Sequence, residues 1–136
     1  MLFGLYASAQ INVTATAGTA TATYTTLKDA FDAINAGTHQ GSINLSITAN
    51  TTETATAVLN AGTTYTSIMI KPTVAATISG AVASNPLVKI LGSNVTIDGS
   101  TTNGGTPETL LSVILPQQVH LFFLWDRQQV LLLLRM

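Results

Sequence analysis

The sequence predicts a mainly β protein built from short stacked strands, with one α-helix near its start. Three observations predict this fold class. Short segments alternate apolar and polar residues, as half-buried strands do, and glycines separate these segments. Threonine supplies 22 of the 97 residues from 10 to 106, and this β-branched residue suits a pleated surface. A small β-sandwich is the alternative fold.

Charged side chains are scarce in this chain of 136 residues. Five Lys and Arg residues stand against six Asp and Glu residues, so that only 8% of the chain is charged, where an ordinary soluble domain has about 25%. This balance excludes the dense basic surface that binding to a nucleic-acid backbone needs. The chain has no cysteine, which excludes a disulfide framework and cysteine-ligated metal. We therefore expect one domain without a nucleic-acid partner.

The first nine residues are apolar and then small. Ala7, Ser8 and Ala9 fit the A-x-A pattern that signal peptidase reads, and Gln10 would then be the mature N-terminus. A full signal peptide also has a basic start and an apolar stretch of about 7 to 15 residues. Because this segment has only part of that pattern, we interpret residues 1–9 as a truncated signal-peptide remnant. An ordinary apolar first strand is the alternative.

Residues 26–36 carry the one clear helix pattern. Thr26, with Asp29 three residues later, is a variant of the capping box, in which a hydroxyl N-cap is paired with a carboxylate. Gly37 is the expected stop. Four apolar residues form one stripe at helical spacing and should pack on an apolar surface: Leu27, Ala30, Phe31 and Ile34.

Alternating apolar residues mark the predicted strands. The clearest groups are Ile43, Leu45 and Ile47; Ile68 and Ile70; Val88 and Ile90; Val95 and Ile97. Weaker candidates are Ile11–Val13, Ala57–Leu59 and Val74–Ile78. If Ile47, Ile70 and Ile90 are equivalent, the spacings are 23 and 20 residues. This irregular period predicts stacked coils that are joined by turns of variable length.

The order of these elements resembles the start of secreted right-handed parallel β-helix proteins with the pectin-lyase-like fold, as found in large surface proteins of Bacteroidetes-type bacteria. The resemblance covers about residues 7–105. Its most specific parts are the helix segment YTTLKDAFDAINAG and the later segment LVKILGSNVTIDGS. In that family the early helix covers the open end of the coil. The resemblance implies that residues 10–106 are the N-terminal cap and first coils of a secreted or cell-surface protein.

The last thirty residues differ in composition from the rest. Leucine holds nine of positions 107–136, and the only Trp and both Arg residues of the chain lie there. A transmembrane helix fits poorly, because Pro116, His120, Asp126 and Arg127 interrupt the apolar run. When this tail is back-translated and its codons are read from two nucleotides later, small residues appear at several codon junctions. The shifted reading gives an alternating, threonine-rich sequence. We therefore interpret residues 107–136 as a frameshift product.

The acidic residues of the middle segment form no catalytic pair in the sequence. Asp98 follows a strand and is expected to bond its own backbone in a turn, Asp32 is a solvated helix position, and Glu53 has no evident partner. The lyase chemistry that the resemblance raises needs clustered acids for calcium and a basic residue. His39 is expected in a loop, and two histidines make a histidine metal site improbable. We predict no catalytic, cofactor or metal site.

These observations favour a fragment of a secreted or cell-surface protein with a structural, adhesive or glycan-contacting role and no enzymatic activity of its own. Extracellular glycans or cell-surface components are the expected partners. The alternative is a truncated polysaccharide lyase or glycoside hydrolase whose catalytic strands are missing. A stack of parallel strands that ends early exposes unpaired backbone groups on its last strands, so we also expect self-association there.

Overall fold

The structure, a computed structural model, describes residues 9–62 and 64–101 together with the backbone of two short strands further along the chain. The described part of the chain is mainly β with one helix, as predicted. Its elements are, in order, β1 (Ile11–Gly18), β2 (Thr21–Tyr24), α1 (Leu27–Asn35), β3 (His39–Ile47), β4 (Thr51–Glu53), β5 (Ala57–Leu59), β6 (Tyr65–Pro72), β7 (Ile78–Gly80), β8 (Val88–Ile90), β9 (Val95–Ile97), β10 (Trp125–Asp126) and β11 (Gln129–Val130). The frameshift interpretation concerns residues 107–136, whose side chains lie outside the described residues.

The largest sheet has five strands in the order β2-β1-β3-β6-β9. Strand β1 runs antiparallel to both of its neighbours, β2 and β3. From β3 onward the pairing is parallel, first with β6 and then with β9. An antiparallel hairpin therefore occupies one edge of a sheet whose other strands are parallel. The second strand of this hairpin, β2, was not predicted.

Two further sheets hold two parallel strands each, β4 with β7 and β5 with β8. In all three sheets a strand pairs with the strand that lies three strands later in the chain. Ile43 pairs with Ile68, Thr51 with Ile78, and Ala57 with Val88. The three sheets therefore receive their strands in the same repeating order.

The expected equivalence of three isoleucines was wrong. Ile47 pairs with Pro72, Ile70 pairs with Leu45, and Ile90 pairs with Leu59 in a different sheet. A shift of two residues keeps a strand's apolar face unchanged, so the alternation of side chains does not specify which isoleucines are neighbours.

One of the weaker strand candidates was also partly wrong. The segment Val74–Ile78 contributes only its last residue to a strand, because β7 begins at Ile78. The Val74 side chain is 45% exposed, so it is not part of the core. The other two candidates lie in strands β1 and β5.

The helix begins and ends within one residue of its predicted limits. Thr26 is the N-cap, and its hydroxyl accepts a hydrogen bond from the Asp29 backbone N–H at 3.1 Å. The Asp29 carboxylate accepts a hydrogen bond from the Thr25 hydroxyl at 3.2 Å. The capping-box carboxylate thus contacts a neighbouring side chain, one residue before the N-cap.

The helix ends in a Schellman motif after Ala36. The Gly37 N–H donates to the carbonyl of Ile34 at 2.9 Å, and the Thr38 N–H donates to the carbonyl of Ala33 at 3.0 Å. Gly37 has a φ of +76°, the left-handed conformation that this motif requires and that glycine adopts without a steric penalty.

The buried apolar residues form one continuous core. The core joins the two buried residues of β1, the apolar stripe of α1 and the inward side chains of all three sheets. Its members are Ile11, Val13, Leu27, Ala30, Phe31, Ile34, Ile43, Leu45, Ile47, Ala57, Leu59, Tyr65, Ile68, Ile70, Ala76, Ile78 and Leu87. Helix α1 packs mainly on β5 and also touches β1 to β4. The prediction that its stripe packs on an apolar surface is confirmed.

Within the described ranges the single helix is nine residues long. No helix there has the length and apolar content that a membrane span requires.

Candidate functional site

The outward side of the five-stranded sheet is a regular polar surface. Every second residue is buried from Ile43 to Ile47 of β3 and from Ile68 to Pro72 of β6, as are Ile11 and Val13 of β1, so the residues between them point outward. We call this surface the hydroxyl face; it consists of Asn12, Thr14, Thr16, Thr21, Thr23, Ser42, Asn44, Ser46, Ser67, Met69, Lys71 and Thr96. All but two of these side chains are hydroxyls or amides.

Strand pairing aligns these side chains in rows across the sheet. One row runs through Thr21, Thr14, Asn44, Met69 and Thr96. Neighbouring members of a row are separated by the strand spacing of about 4.8 Å. The row therefore presents a hydroxyl or amide on four of its five strands, and Met69 is the exception.

Hydroxyl groups also connect the strands of this face directly. The Ser67 hydroxyl donates to the Ser42 hydroxyl at 3.2 Å, and the Ser42 backbone N–H donates to the hydroxyl of Thr16 at 2.9 Å. Each hydroxyl can donate one hydrogen bond and accept two, so these contacts leave capacity for an external ligand. Such a surface can bind a neutral, hydroxyl-rich ligand through many weak hydrogen bonds.

The charged corner of the face lies at Lys71 and Asp98. The Asp98 carboxylate accepts two hydrogen bonds from Ser100, at 2.9 Å from its backbone N–H and at 2.6 Å from its hydroxyl. Burial alone would raise the pKa of Asp98, but the Ser100 hydrogen bonds and the nearby Lys71 charge together lower it below its ordinary value. The prediction that Asp98 bonds its own backbone in a turn is confirmed.

Glu53 contacts the backbone of the helix start, a contact that the sequence did not indicate. Its side chain is 1% exposed, and its two carboxylate oxygens accept hydrogen bonds from the backbone N–H groups of Leu27 at 2.8 Å and Lys28 at 3.0 Å. These are free N–H groups of the first helical turn, where the helix dipole favours a negative charge. Glu53 therefore attaches the start of α1 to β4.

The carboxylates of helix α1 itself lie at the surface. Asp32 forms an ion pair with Lys28 one turn earlier, and its side chain is 54% exposed. The hydrogen bond and the charge of Asp32 raise the pKa of Lys28 above its ordinary value. Within the described residues, all four carboxylates thus have a partner in the protein, which is local for Asp29, Asp32 and Asp98 and distant in the chain for Glu53.

The expectation that His39 lies in a loop was also wrong. His39 is the first residue of β3 and is fully buried. Its Nδ1 lies 2.6 Å from the carbonyl oxygen of Thr19, and its Nε2 lies 2.8 Å from the hydroxyl of Tyr24. Because a carbonyl oxygen only accepts hydrogen bonds, Nδ1 carries the proton in the neutral ring, and Nε2 accepts from Tyr24.

The Tyr24 and His39 rings meet edge to face, with centroids 5.9 Å apart, and burial raises the pKa of the Tyr24 hydroxyl. These contacts tie the β1–β2 hairpin to the start of β3. Tyr24 and His39 thus form a structural contact, which no sequence motif indicates.

The predicted cleavage region lies at the start of the described chain. Ala7 lies outside the described residues, and Ala9 is exposed and precedes the first strand. Gln10 is the first residue in the hydrogen-bonded sheet: its N–H donates to the Tyr24 carbonyl at 2.9 Å, and its carbonyl accepts from the Thr48 N–H at 2.8 Å. A mature chain that begins at Gln10 would keep all of these bonds.

Over residues 9–62 and 64–101, no three His, Asp or Glu side chains lie close enough together to hold a metal ion. Comparisons with known protein families, with curated proteins and with solved structures returned no match to this chain. The assignment of a function therefore depends on the strand arrangement and on the chemistry of the hydroxyl face.

Proposed function

We propose that this chain is the N-terminal part of a secreted or cell-surface protein with a right-handed parallel β-helix fold and a structural or adhesive role. The observation that carries the proposal is the repeated strand order, in which β3, β4 and β5 pair in parallel with β6, β7 and β8. A chain wound as a helix adds one strand to each of three sheets per coil and produces this order. Nearly all parallel crossovers are right-handed, whereas sandwich sheets pair mainly antiparallel strands.

The proposal also explains the elements around the first coil. Strand β1 pairs with the free edge of β3, and α1 lies against β5 and contacts β4. The Asn35 side chain fixes the end of the helix, since its amide donates to the Val58 carbonyl at 2.8 Å and accepts from the Asn60 N–H at 2.9 Å. With Glu53 at the other end, α1 is a cap held at both termini.

The adhesive role is supported by the hydroxyl face. It is wide, regular and nearly uncharged, and its donors and acceptors match the hydroxyl groups of neutral glycans. The threonine-rich composition and the Ala7-Ser8-Ala9 pattern support export from the cell. The fold alone does not identify a ligand, so neutral glycan is the class of ligand to test first.

The coil can be tested by engineered disulfides, because the natural chain has no cysteine. Register partners on neighbouring strands lie about 4.8 Å apart, within the Cα separation that a disulfide spans. We expect cross-links in three double variants, one for each sheet: Ser42→Cys with Ser67→Cys, Thr52→Cys with Ser79→Cys, and Val58→Cys with Lys89→Cys. Failure of the second and third pairs to oxidise would contradict the coil. Ser42→Cys with Ser79→Cys, from different sheets, is the control.

The role can be tested by electrophoresis of the full chain through gels that contain a neutral glucan or an acidic polygalacturonate. We expect the neutral polymer to retard the protein and salt to have little effect, because screening weakens only charged contacts. Asn44→Lys should abolish the retardation, whereas Thr52→Lys, which is exposed on another sheet, should not. Release of new reducing ends would instead support the lyase or hydrolase alternative.

A further inference from the structure

Met69 is a large apolar residue within the otherwise polar hydroxyl face. It is 36% exposed, and its register partners are Asn44 on β3 and Thr96 on β9. These neighbours lie about 4.8 Å to either side, at the spacing of strands in a sheet. Among the described residues, the other exposed large apolar side chains, Val74 and Leu91, lie outside the strands. Met69 therefore provides an apolar contact in the middle of a row of hydrogen-bonding groups.

Two β-bulges gather hydroxyl groups at one end of the hydroxyl face. In β3, Gly41 and Ser42 together oppose the single residue Thr16 of β1, and Gly41 has the left-handed φ of +75° that such a bulge uses. In β6, Thr66 is an extra residue at the same level of the sheet. As a result, Thr66 and Ser67 are both exposed although they are consecutive in the chain.

The hydroxyl groups at these bulges contact one another, and we call them the hydroxyl cluster: Thr16, Ser42, Thr66 and Ser67. The Ser42 hydroxyl lies 3.4 Å from that of Thr66 and accepts a hydrogen bond from that of Ser67 at 3.2 Å. Ser67 precedes Met69 by two residues on the same side of β6, about 6.6 Å along the strand. Because each hydroxyl can donate one hydrogen bond and accept two, the hydroxyl cluster offers donors and acceptors to a ligand that lies on Met69.

The charges nearest to Met69 compensate each other. Lys71 follows Met69 by two residues on the same strand, and its positive charge acts on the carboxylate of Asp98. The remaining outward neighbours of Met69 are uncharged: Asn44, Ser67 and Thr96. A ligand without net charge is therefore complementary to this part of the face.

The combination of an apolar contact and adjacent hydroxyl groups matches the chemistry of one sugar ring. A pyranose whose hydroxyls are equatorial has C–H groups on both faces and hydroxyl groups around its rim. The unbranched thioether side chain of Met69 adapts its shape to such a face, and the row through Met69 crosses five strands, as an extended polymer requires. We propose that Met69 and the hydroxyl cluster form a subsite for one glucose ring of an extended, neutral β-linked glucan that lies along this row. This subsite rests on the glycan-binding role proposed above.

Two soluble oligosaccharides of the same composition test the subsite on the full chain. Cellopentaose is β-linked and extended, whereas maltopentaose is α-linked and curved. With isotope-labelled methionine methyl groups, cellopentaose should shift the NMR signal of Met69, which is assigned by its loss in Met69→Leu. Maltopentaose at the same concentration should leave this signal in place, because a curved chain does not follow the row.

Variants of Met69 test the apolar contact by calorimetric titration with cellopentaose. Met69→Thr keeps a residue suited to a strand but removes most of the apolar surface, so the affinity should fall by about three- to tenfold. Met69→Leu keeps the apolar bulk and should bind within about twofold of the wild type. Leu91→Thr, which removes an exposed apolar side chain outside the strands, should bind like the wild type. Circular dichroism verifies that all three variants fold.

Failure of the subsite and failure of the proposed role give different results. Equal binding of the two oligosaccharides, an unshifted Met69 signal, or equal affinities of Met69→Thr and Met69→Leu would each overturn the subsite. If the neutral glucan gel still retards the protein and Asn44→Lys abolishes this retardation, the adhesive role stands without the subsite. If neither the gel nor cellopentaose shows binding, both proposals are wrong.

Discussion

Replacement of Glu53 should loosen the start of helix α1 more than replacement of any surface acid. In Glu53→Ala the N–H groups of Leu27 and Lys28 lose their acceptor. A buried donor without a partner costs about 1 to 3 kcal/mol. The Leu27 bond is buried and the Lys28 bond is only partly buried, so water can compensate the second loss but not the first. We expect the free energy of unfolding to fall by about 1 to 3 kcal/mol.

Two further variants separate the contributions of charge and shape. Glu53→Gln keeps the side-chain volume and one acceptor oxygen but places an amide donor against a backbone donor. It should cost about 1 to 2 kcal/mol, from one lost hydrogen bond and the lost attraction of the carboxylate to the helix dipole. Asp32→Asn removes a carboxylate from the exposed side of the same helix and should leave stability close to that of the wild type.

Urea unfolding followed by circular dichroism gives these free energies, and amide hydrogen exchange locates the effect. In Glu53→Ala the amides of Leu27 and Lys28 should exchange faster, while those of β6 stay protected until global unfolding. The reasoning is refuted if Glu53→Ala unfolds at the same urea concentration as Asp32→Asn. It is also refuted if exchange accelerates evenly over the chain, because the carboxylate would then not act at the helix terminus.

Three other predictions follow from single contacts. Tyr24→Phe leaves Nε2 of the buried His39 without a donor, so the free energy of unfolding in urea should fall by about 1 to 2 kcal/mol. An unchanged urea midpoint would mean that water replaces the hydroxyl. Gly92→Ala should destabilise the protein because the new methyl group would overlap the Tyr65 hydroxyl. Adding Tyr65→Phe should recover part of the lost free energy of unfolding. If the losses of the two single variants simply add in the double variant, the contact is contradicted. Because the folded-state pKa of Asp98 is lowered, the stability it contributes is present above its unfolded value of about 3.9 and is lost as pH falls through the folded pKa. The melting temperature of Asp98→Asn should therefore fall less between about pH 6 and pH 3 than that of the wild type. An equal fall in the two proteins would exclude this contribution of Asp98.

The sequence was sufficient for the elements whose inward residues are apolar. The helix with its Thr26 cap, and strands β3, β6, β8 and β9, all show their periods directly in the residue pattern. Strand β4 does not, because its two buried residues are Thr51 and Glu53. The role of Glu53 depends on a helix about 25 residues earlier in the chain, and no local pattern encodes such a long-range contact.

The burial of His39 is a second property that the local sequence does not indicate. His39 follows the glycine that ends α1, and that position in the sequence is typical of a loop. Its burial arises from the β1–β2 hairpin, which supplies both the Thr19 carbonyl and the Tyr24 hydroxyl. The hairpin in turn was hard to predict, because β2 has no fully buried side chain.

The segments between strands differ in length even where the ladders they join are regular. Residues 54–56 connect β4 to β5, whereas residues 81–87 connect β7 to β8 one repeat later. The ladders on both sides keep an uninterrupted register despite this difference. Corners of the chain can therefore gain or lose residues during evolution while the interior stays fixed. New binding loops could accordingly arise at these corners without any redesign of the scaffold beneath them.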